Sequence, residues 1–281
     1  MHTAEQLRVG AAQINCQLGE CGANVAKHLD FIEQGRSLGL DLLVFPELSL
    51  TGMGLGRRVL EVAMGREDER LLRLAAAAGA MQVVVGFVEE ASPGEYYNAL
   101  AVLQAGETMA VHRKVNLATY GRLDEGKYFC YGRDITVNAI AGNWTGAYLI
   151  CADLWNPALV HAVLLSRPNL LIAPANSASG AVSDEFSNEQ NWLVNIRFYA
   201  MVYGTPVIMA NRYGYEGTDR FFWGGSRILG PRGEELAAAG DGEGIISATL
   251  GRTAIARARF DLPTHRDANS PLIQSLLNRH R

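Results

Sequence analysis

The chain lacks most of what would build a small disulfide or metal protein. Only Cys16, Cys21, Cys130 and Cys151 occur in 281 residues, with no CxxC pair and no metal-ligand spacing. The histidines, His2, His28, His112, His161, His265 and His280, form no HxH or HExxH, so no metal is expected. No apolar run approaches the ~20 residues of a spanning helix, and a net charge of −4 without long runs of either sign argues against a nucleic acid or an anionic membrane as partner. Gly52-Met53-Gly54-Leu55-Gly56 lacks the GxGxxG spacing and a Walker lysine and reads as a flexible turn. The start, Met1-His2-Thr3-Ala4-Glu5-Gln6-Leu7, does not read as a signal peptide; with unpaired thiols, that leads to the expectation of a reducing cytoplasm. The Asn143-Trp144-Thr145 sequon would then go unused.

No linker and no low-complexity segment divides the chain. One domain over 1–281 is expected, with 263–281 as a C-terminal arm ending in a short helix. What is present is an alternation of apolar strands and helical patterns. Strands are expected at 7–14, 41–45, 82–89, 97–103, 107–113, 145–151, 169–174, 205–211 and 243–250, with a hairpin of 224–230 and 234–238. Helices are expected at 23–38, 67–79, 157–166 and 184–203. Such alternation implies an α/β fold with sheets covered by helices.

Chemistry-bearing residues stand at strand exits. Glu47 follows Leu42-Leu43-Val44-Phe45-Pro46, Lys114 follows Met109-Ala110-Val111-His112-Arg113, and Cys151 closes the run from Gly146 to Ile150. A nearby cation lowers a thiol's pKa, and a carboxylate can accept its proton. Lys114 would also hold an oxyanion, together with the N–H of Ala152. Glu125 lies in a polar, glycine-containing loop that would fold back over the site. Asn176 and Ser177 follow the strand at 169–174 and would lie at the same sheet edge as Cys151. Cys16, Cys21 and Cys130 read as ordinary residues; Trp155 and Trp223 read as packing residues, either of which could wall a pocket.

The order Glu47, Lys114, Glu125, Cys151 resembles the nitrilase (carbon–nitrogen hydrolase) superfamily. The resemblance rests on Phe45-Pro46-Glu47-Leu48-Ser49-Leu50-Thr51-Gly52, on His112-Arg113-Lys114-Val115-Asn116-Leu117 and on Ile150-Cys151-Ala152-Asp153-Leu154-Trp155. Gln13, Asn211-Arg212-Tyr213-Gly214, the stretch from Gly224 to Gly233 and Arg266-Asp267-Ala268-Asn269-Ser270 extend it over nearly the whole chain. It implies a four-layer α-β-β-α sandwich with mixed sheets. It also implies hydrolysis of an amide, nitrile or N-carbamoyl group through a thioester-type intermediate, without a cofactor. By the match, Glu47 is the base, Lys114 the oxyanion lysine, Glu125 the second glutamate and Cys151 the nucleophile. The stretch from Tyr120 to Phe129 is similar to the glutaminase domain of glutamine-dependent NAD synthetase, which puts Tyr120 in the amide pocket. Ala118, Leu123, Ala152 and Met53 depart from the family's usual residues there, and each touches that pocket.

A small primary amide is therefore the expected substrate, ahead of nitriles and N-carbamoyl compounds. Substrate contacts are expected from Tyr120, Ala152, Asn176 and Ser177. A glutaminase subunit feeding a separate synthetase is one competing reading, and a non-catalytic interaction protein is another. Superfamily members usually pair, so a homodimer or a larger homo-oligomer is expected.

Overall fold

The computed structural model describes residues 5–279. The first residues of the N-terminal stretch and the last two of the arm at 263–281 lie outside the described residues. In chain order the strands are β1 (Gln6–Gln13), β2 (Leu42–Val44), β3 (Gln82–Ser92), β4 (Glu95–Gln104), β5 (Glu107–Arg113), β6 (Val137–Ala139), β7 (Thr145–Tyr148), β8 (Leu170–Ala175), β9 (Val207–Asn211), β10 (Tyr213–Glu216), β11 (Arg220–Trp223), β12 (Arg227–Leu229), β13 (Glu235–Ala238) and β14 (Gly244–Gly251). The helices are α1 (Cys21–Ser37), α2 (Val59–Val62), α3 (Glu69–Ala78), α4 (Pro157–Leu164), α5 (Asn188–Tyr203), α6 (Arg252–Asp261) and α7 (Ser270–Asn278).

Two six-stranded sheets run β14-β1-β2-β3-β4-β5 and β6-β7-β8-β9-β12-β13. Each has the same plan. Three parallel strands, β1-β2-β3 or β7-β8-β9, form the middle, and antiparallel strands flank them. The period-2 alternation of the strands sorts their side chains between two layers. Val9, Leu42, Val44, Val84 and Leu100 meet Tyr148, Ile150, Leu170, Ile172 and Ile208 between the sheets. The alternate residues Leu43, Val83 and Val85 face α1 and α3. On the other sheet Ala147, Leu171, Ala173 and Met209 lie under α4 and α5. The layers are thus α-β-β-α.

Local chemistry sets the helix ends. Asp68 caps α3 by accepting the Arg70 N–H, Asn156 caps α4 ahead of Pro157, and Ser187 caps α5, which stops at the left-handed Gly204. The Ser187 cap shortens the helix expected at 184–203 and leaves 183–187 as a loop beside the site. Similarly, β7 stops short of the strand expected at 145–151, because the chain turns at Cys151. The hairpin β10–β11 and the elements β6, α2 and α6 are too short, too polar or too weakly periodic to stand out in the sequence.

Candidate active site

The two sheets present their chemistry at one edge. Glu47 leaves β2 in a bend where Leu48 has φ 49°. That bend lies against β3 at Gly86, where a Cβ would come within 2.6 Å of the Pro46 carbonyl oxygen. Glycine there lets the two backbones approach, with Leu50 N–H donating to the Gly86 carbonyl at 2.9 Å. Lys114 leaves β5 with its backbone held by the Asn98 and Gly132 backbones. Cys151 opens a 3-10 turn over Cys151–Trp155 with φ 45°. Left-handed backbone at a non-glycine residue costs of order 1–3 kcal/mol and persists only where its surroundings impose it.

Asp153 imposes it. Its buried carboxylate accepts the Ile150 N–H at 2.9 Å, bending the chain around Cys151. The other oxygen accepts Val115 N–H at 3.1 Å and Asn116 N–H at 2.6 Å. One side chain therefore couples the turn at the thiol to the strand exit at the lysine. Burial outweighs these hydrogen bonds and pushes the Asp153 carboxyl up to about 6.

Lys114 Nζ donates to Glu47 Oε1 at 2.6 Å and to Glu125 Oε1 and Oε2 at 2.9 and 2.8 Å. Asn98 Nδ2 donates to Glu47 Oε1 at 2.7 Å and to Glu125 Oε1 at 2.8 Å. Ala118 N–H takes the remaining Glu125 oxygen at 2.6 Å. All four side chains are buried. Both oxygens of Glu125 are therefore committed. Glu47 Oε2 is buried and has no hydrogen-bond partner.

One lysine cannot neutralise two buried carboxylates, and the deficit falls on Glu47. Burial raises its pKa, and the Glu125 charge adds to this against the opposing pull of Lys114. For Lys114, burial alone would lower the pKa, but Glu125 and Glu47 together raise it well above the ordinary lysine value. Cys151 is raised too, by burial and then by Glu47. Lys114 and the Asn176 N–H lower it, and do not compensate. The expectation that the lysine would leave a depressed thiol is corrected here: Lys114 pulls in that direction, but its charge is already shared by two carboxylates.

Lys114, Tyr120, Cys151, Asn176 and Ser177 line one chamber of about 30 Å³, room for a water or two. Ala152 lines instead an outer vestibule of about 380 Å³, which shares Tyr120, Trp155, Val182 and Phe186 with the chamber. Asn176 Nδ2 donates to the Glu47 carbonyl oxygen at 3.0 Å, tying the β8 exit to the β2 exit. The Ser177 hydroxyl accepts from Asn188, Trp192 and Trp223 at 2.9, 3.0 and 3.3 Å, so its hydrogen bonds serve the wall of the chamber. Among the described residues no group of three His, Cys, Asp or Glu side chains could hold a metal ion. No helix of the described residues is long and apolar enough to cross a membrane.

Sequence reasoning passed over Asn98, which bridges the two glutamates, and Phe186, Trp192 and Arg220, which line the chamber; Met53, Ala118 and Leu123, expected to touch the pocket, do line it. Asn98 had a signal, a lone amide inside the apolar run from Tyr97 to Leu103. Arg220, in an exposed-looking turn sequence, had none.

A family model for carbon-nitrogen hydrolases matches residues 8–260. A glutamine-dependent NAD(+) synthetase from Thermotoga maritima is 37% identical over 163 residues, which is 57% of this chain and 28% of the synthetase. The chain thus spans under a third of that relative's length. A protein named as a hydrolase in the pqqF 5' region of Pseudomonas protegens is 30% identical over 224 residues, 78% of this chain and 74% of its own. In three dimensions an amidase of the nitrilase superfamily from Nesterenkonia AN1, solved as a mutant, superposes with a TM-score of 0.81 at 21% identity, covering 98% of both chains. That identity speaks for the fold.

Proposed function

This chain belongs to the carbon-nitrogen hydrolase family, and from that premise we propose that it cleaves a small primary amide through a thioester on Cys151. The observation that carries the reading is the unequal pair of glutamates. Glu125 is held on both oxygens, whereas Glu47 offers one unpartnered oxygen and a raised pKa beside the thiol. A base needs a free lone pair and a proton affinity near that of its partner.

In the proposed cycle the Cys151 thiol gives its proton to Glu47 Oε2 as sulfur attacks the amide carbon. In this cycle proton transfer to Glu47 accompanies the attack. The oxyanion is held by Lys114 and the Ala152 N–H; an N–H of Lys114 bridging both oxygens of Glu125 leaves a third for substrate. Glu47 passes its proton to the nitrogen, the carbon–nitrogen bond breaks and ammonia leaves. Water then gives a proton to Glu47 and attacks the thioester. The thiolate is expelled and takes the proton from Glu47, and the carboxylic acid departs and ionises in solvent. Glu125 positions Lys114 throughout.

A panel of primary amides, nitriles and N-carbamoyl compounds, scored for ammonia release, tests the reading. Amides are expected to be turned over, and Cys151→Ala is expected to retain under about a thousandth of the rate. Nitrile turnover without any amide activity would replace the substrate class; an active Cys151→Ala would remove the nucleophile. A glutaminase role toward a separate synthetase is favoured by the 37% identity to a glutamine-dependent enzyme. Ammonia release only upon mixing with such a partner would select it.

The reading includes a homodimer in a reducing compartment. Val194, Phe198 and Met201 are exposed along one face of α5, and Leu272, Ile273, Leu276 and Leu277 are exposed on α7, apolar surface that a second copy would cover. All four cysteines are unpaired. Light scattering at micromolar concentration is expected to give twice the chain mass, and a monomer would contradict the dimer. Loss of activity on mild oxidation, restored by thiol reductant, is expected if the protein works with reduced cysteines; indifference to oxidation would remove that support.

A further inference from the structure

Asn98 lies on β4, fully buried, and touches each of Glu47, Lys114 and Glu125. Its carbonyl oxygen accepts the Lys114 N–H at 2.9 Å, where the chain leaves β5. Its amide Nδ2 donates to Glu47 Oε1 at 2.7 Å and to Glu125 Oε1 at 2.8 Å. Lys114 Nζ reaches the same two oxygens, at 2.6 and 2.9 Å. The four atoms close a ring in which two donors alternate with two acceptors. Only the nitrogen end of the amide can face two carboxylate oxygens, which fixes its orientation. Oδ1 is left buried without a hydrogen-bond partner. A fold that tolerates an orphaned carbonyl in order to deliver both amide protons has a use for them.

The position calls for two protons on one atom and no charge. Serine and threonine carry one proton, and lysine and arginine carry charge. A second cation there would balance the two carboxylates and remove the surplus charge that gives Glu47 its affinity for a proton. With no donor there, Lys114 would be the one side-chain donor left to Glu47 and Glu125, and all three of its N–H groups would be drawn to them. Asn98 meets part of that demand without touching the charge balance. Asn98 does not line the chamber, so it acts through its neighbours.

We propose that Asn98 is a positioning residue, whose paired and uncharged donation to Glu47 and Glu125 keeps one N–H of Lys114 free for the oxyanion. The proposal rests on the amidase reading of the same site. The lysine is set from both ends, its backbone by the Asn98 carbonyl and its ammonium by the two carboxylates that Asn98 holds.

The test uses Asn98→Leu, which removes both donors, and Asn98→Ser, which keeps one, with circular dichroism verifying each fold. On a primary amide, Asn98→Leu is expected to lower kcat by about 10²–10³-fold with KM little changed, the pattern of a lost oxyanion donor. Asn98→Ser is expected to recover part of that loss. The acid limb of kcat/KM is expected to move to higher pH in Asn98→Leu, because the Asn98 hydrogen bond favours the ionised form of Glu47. The titratable groups that interact with Glu47, which are Lys114, Glu125, Cys151, Tyr120 and Asp153, are all kept in the variant. A loss read in KM alone, or an acid limb that stays in place while only the melting temperature falls, overturns the proposal. A further measurement needs no turnover. Carboxyl-carbon NMR of glutamate-labelled protein, with Glu47 identified by loss of its signal in Glu47→Gln, is expected to show Glu47 titrating at higher pH in Asn98→Leu than in the wild type. If no amide is turned over, the amidase reading fails, and this titration alone decides whether Asn98 holds Glu47; an unchanged titration overturns it. If Asn98→Leu does not fold, Asn98→Ser carries the same comparisons with smaller expected shifts.

Discussion

Two ionic clusters flank the same chamber, the first buried throughout and the second buried at Arg212 and Glu216 with Arg220 partly exposed, and they are built in opposite senses. Glu47, Lys114 and Glu125 set two carboxylates against one cation; Arg212, Glu216 and Arg220 set two cations against one carboxylate. In the second cluster the carboxylate is satisfied at every turn. Burial would raise the pKa of Glu216, but Arg212 and the Met53 and Gly54 N–H groups outweigh it and hold the group below its ordinary value. Arg212 is likewise spent, on Glu216, on Asn15 Oδ1 at 3.2 and 3.1 Å and on the Cys16 carbonyl oxygen at 2.6 Å, with its guanidinium over Phe222. In the first cluster one oxygen is left over and its carboxyl is pushed up. A satisfied buried ion pair fixes the loop at Met53 to the β10–β11 hairpin. An unsatisfied one is positioned to exchange a proton.

The contrast is broken most severely at Glu47. Glu47→Gln removes the free oxygen's basicity and is expected to lower kcat by about 10²–10⁴, with stability unchanged or raised, because a surplus buried charge disappears. Steady-state kinetics and urea melts read the two effects separately. Next comes Glu216→Ala, which strands Arg212 and is expected to cost about 3–5 kcal/mol of stability in the same melts. If Glu47→Gln unfolds the protein and Glu216→Ala does not, the assignment of the two clusters is reversed.

Glu125→Gln should fall between. It keeps the shape but sets an amide N–H against Lys114 or against the Ala118 N–H, displacing the lysine. A loss of roughly a hundredfold in kcat is expected, as for small misplacements of a reacting group. A loss equal to that of Glu47→Gln would make Glu125 a second base.

The pH dependence sharpens the same comparison. Glu47 must be ionised to accept the thiol proton, and its pKa is raised, so kcat/KM is expected to fall as pH drops, at a pH above the usual carboxylate range. Asp153, raised to about 6, also protonates above the usual carboxylate range and loosens the turn at Cys151. Glu216 behaves oppositely. Its folded value lies below 4.5, so its contribution to stability is complete above 4.5 and is lost only as pH falls through the lower folded value. His28 and His112, kept neutral by burial with values of about 4, bind protons only in the unfolded chain between about 4 and 6.5, so stability rises with pH across that window. Circular dichroism at each pH separates this slope from the kinetic one. An acid limb at an ordinary carboxylate position would contradict the raised Glu47.

The sequence carried the strand exits well. β5 runs Glu107–Arg113, where the run before Lys114 was read, and the exits of β2 and β7 put Glu47 and Cys151 at the same end of the two sheets. These positions were legible because a short apolar run ending in a polar residue announces itself locally. The left-handed turn at Cys151 was not legible, since it depends on Asp153 reaching back to Ile150 and across to Val115 and Asn116. Nor were Asn98 and Arg220. Asn98 acts through residues 51 and 27 positions away in the chain, and Arg220 through a charge balance set by four separate groups. Periodicity holds no record of pairings between distant elements.

The central claim is that the free oxygen of Glu47 serves a thioester on Cys151. Rapid acid quench of the enzyme turning over a small amide, followed by mass spectrometry of the Cys151 peptide, tests it most directly. The account predicts an acyl adduct on that cysteine, discharged as a hydroxamate when hydroxylamine is present and absent in Glu47→Gln. Steady turnover with Cys151 never modified would contradict it.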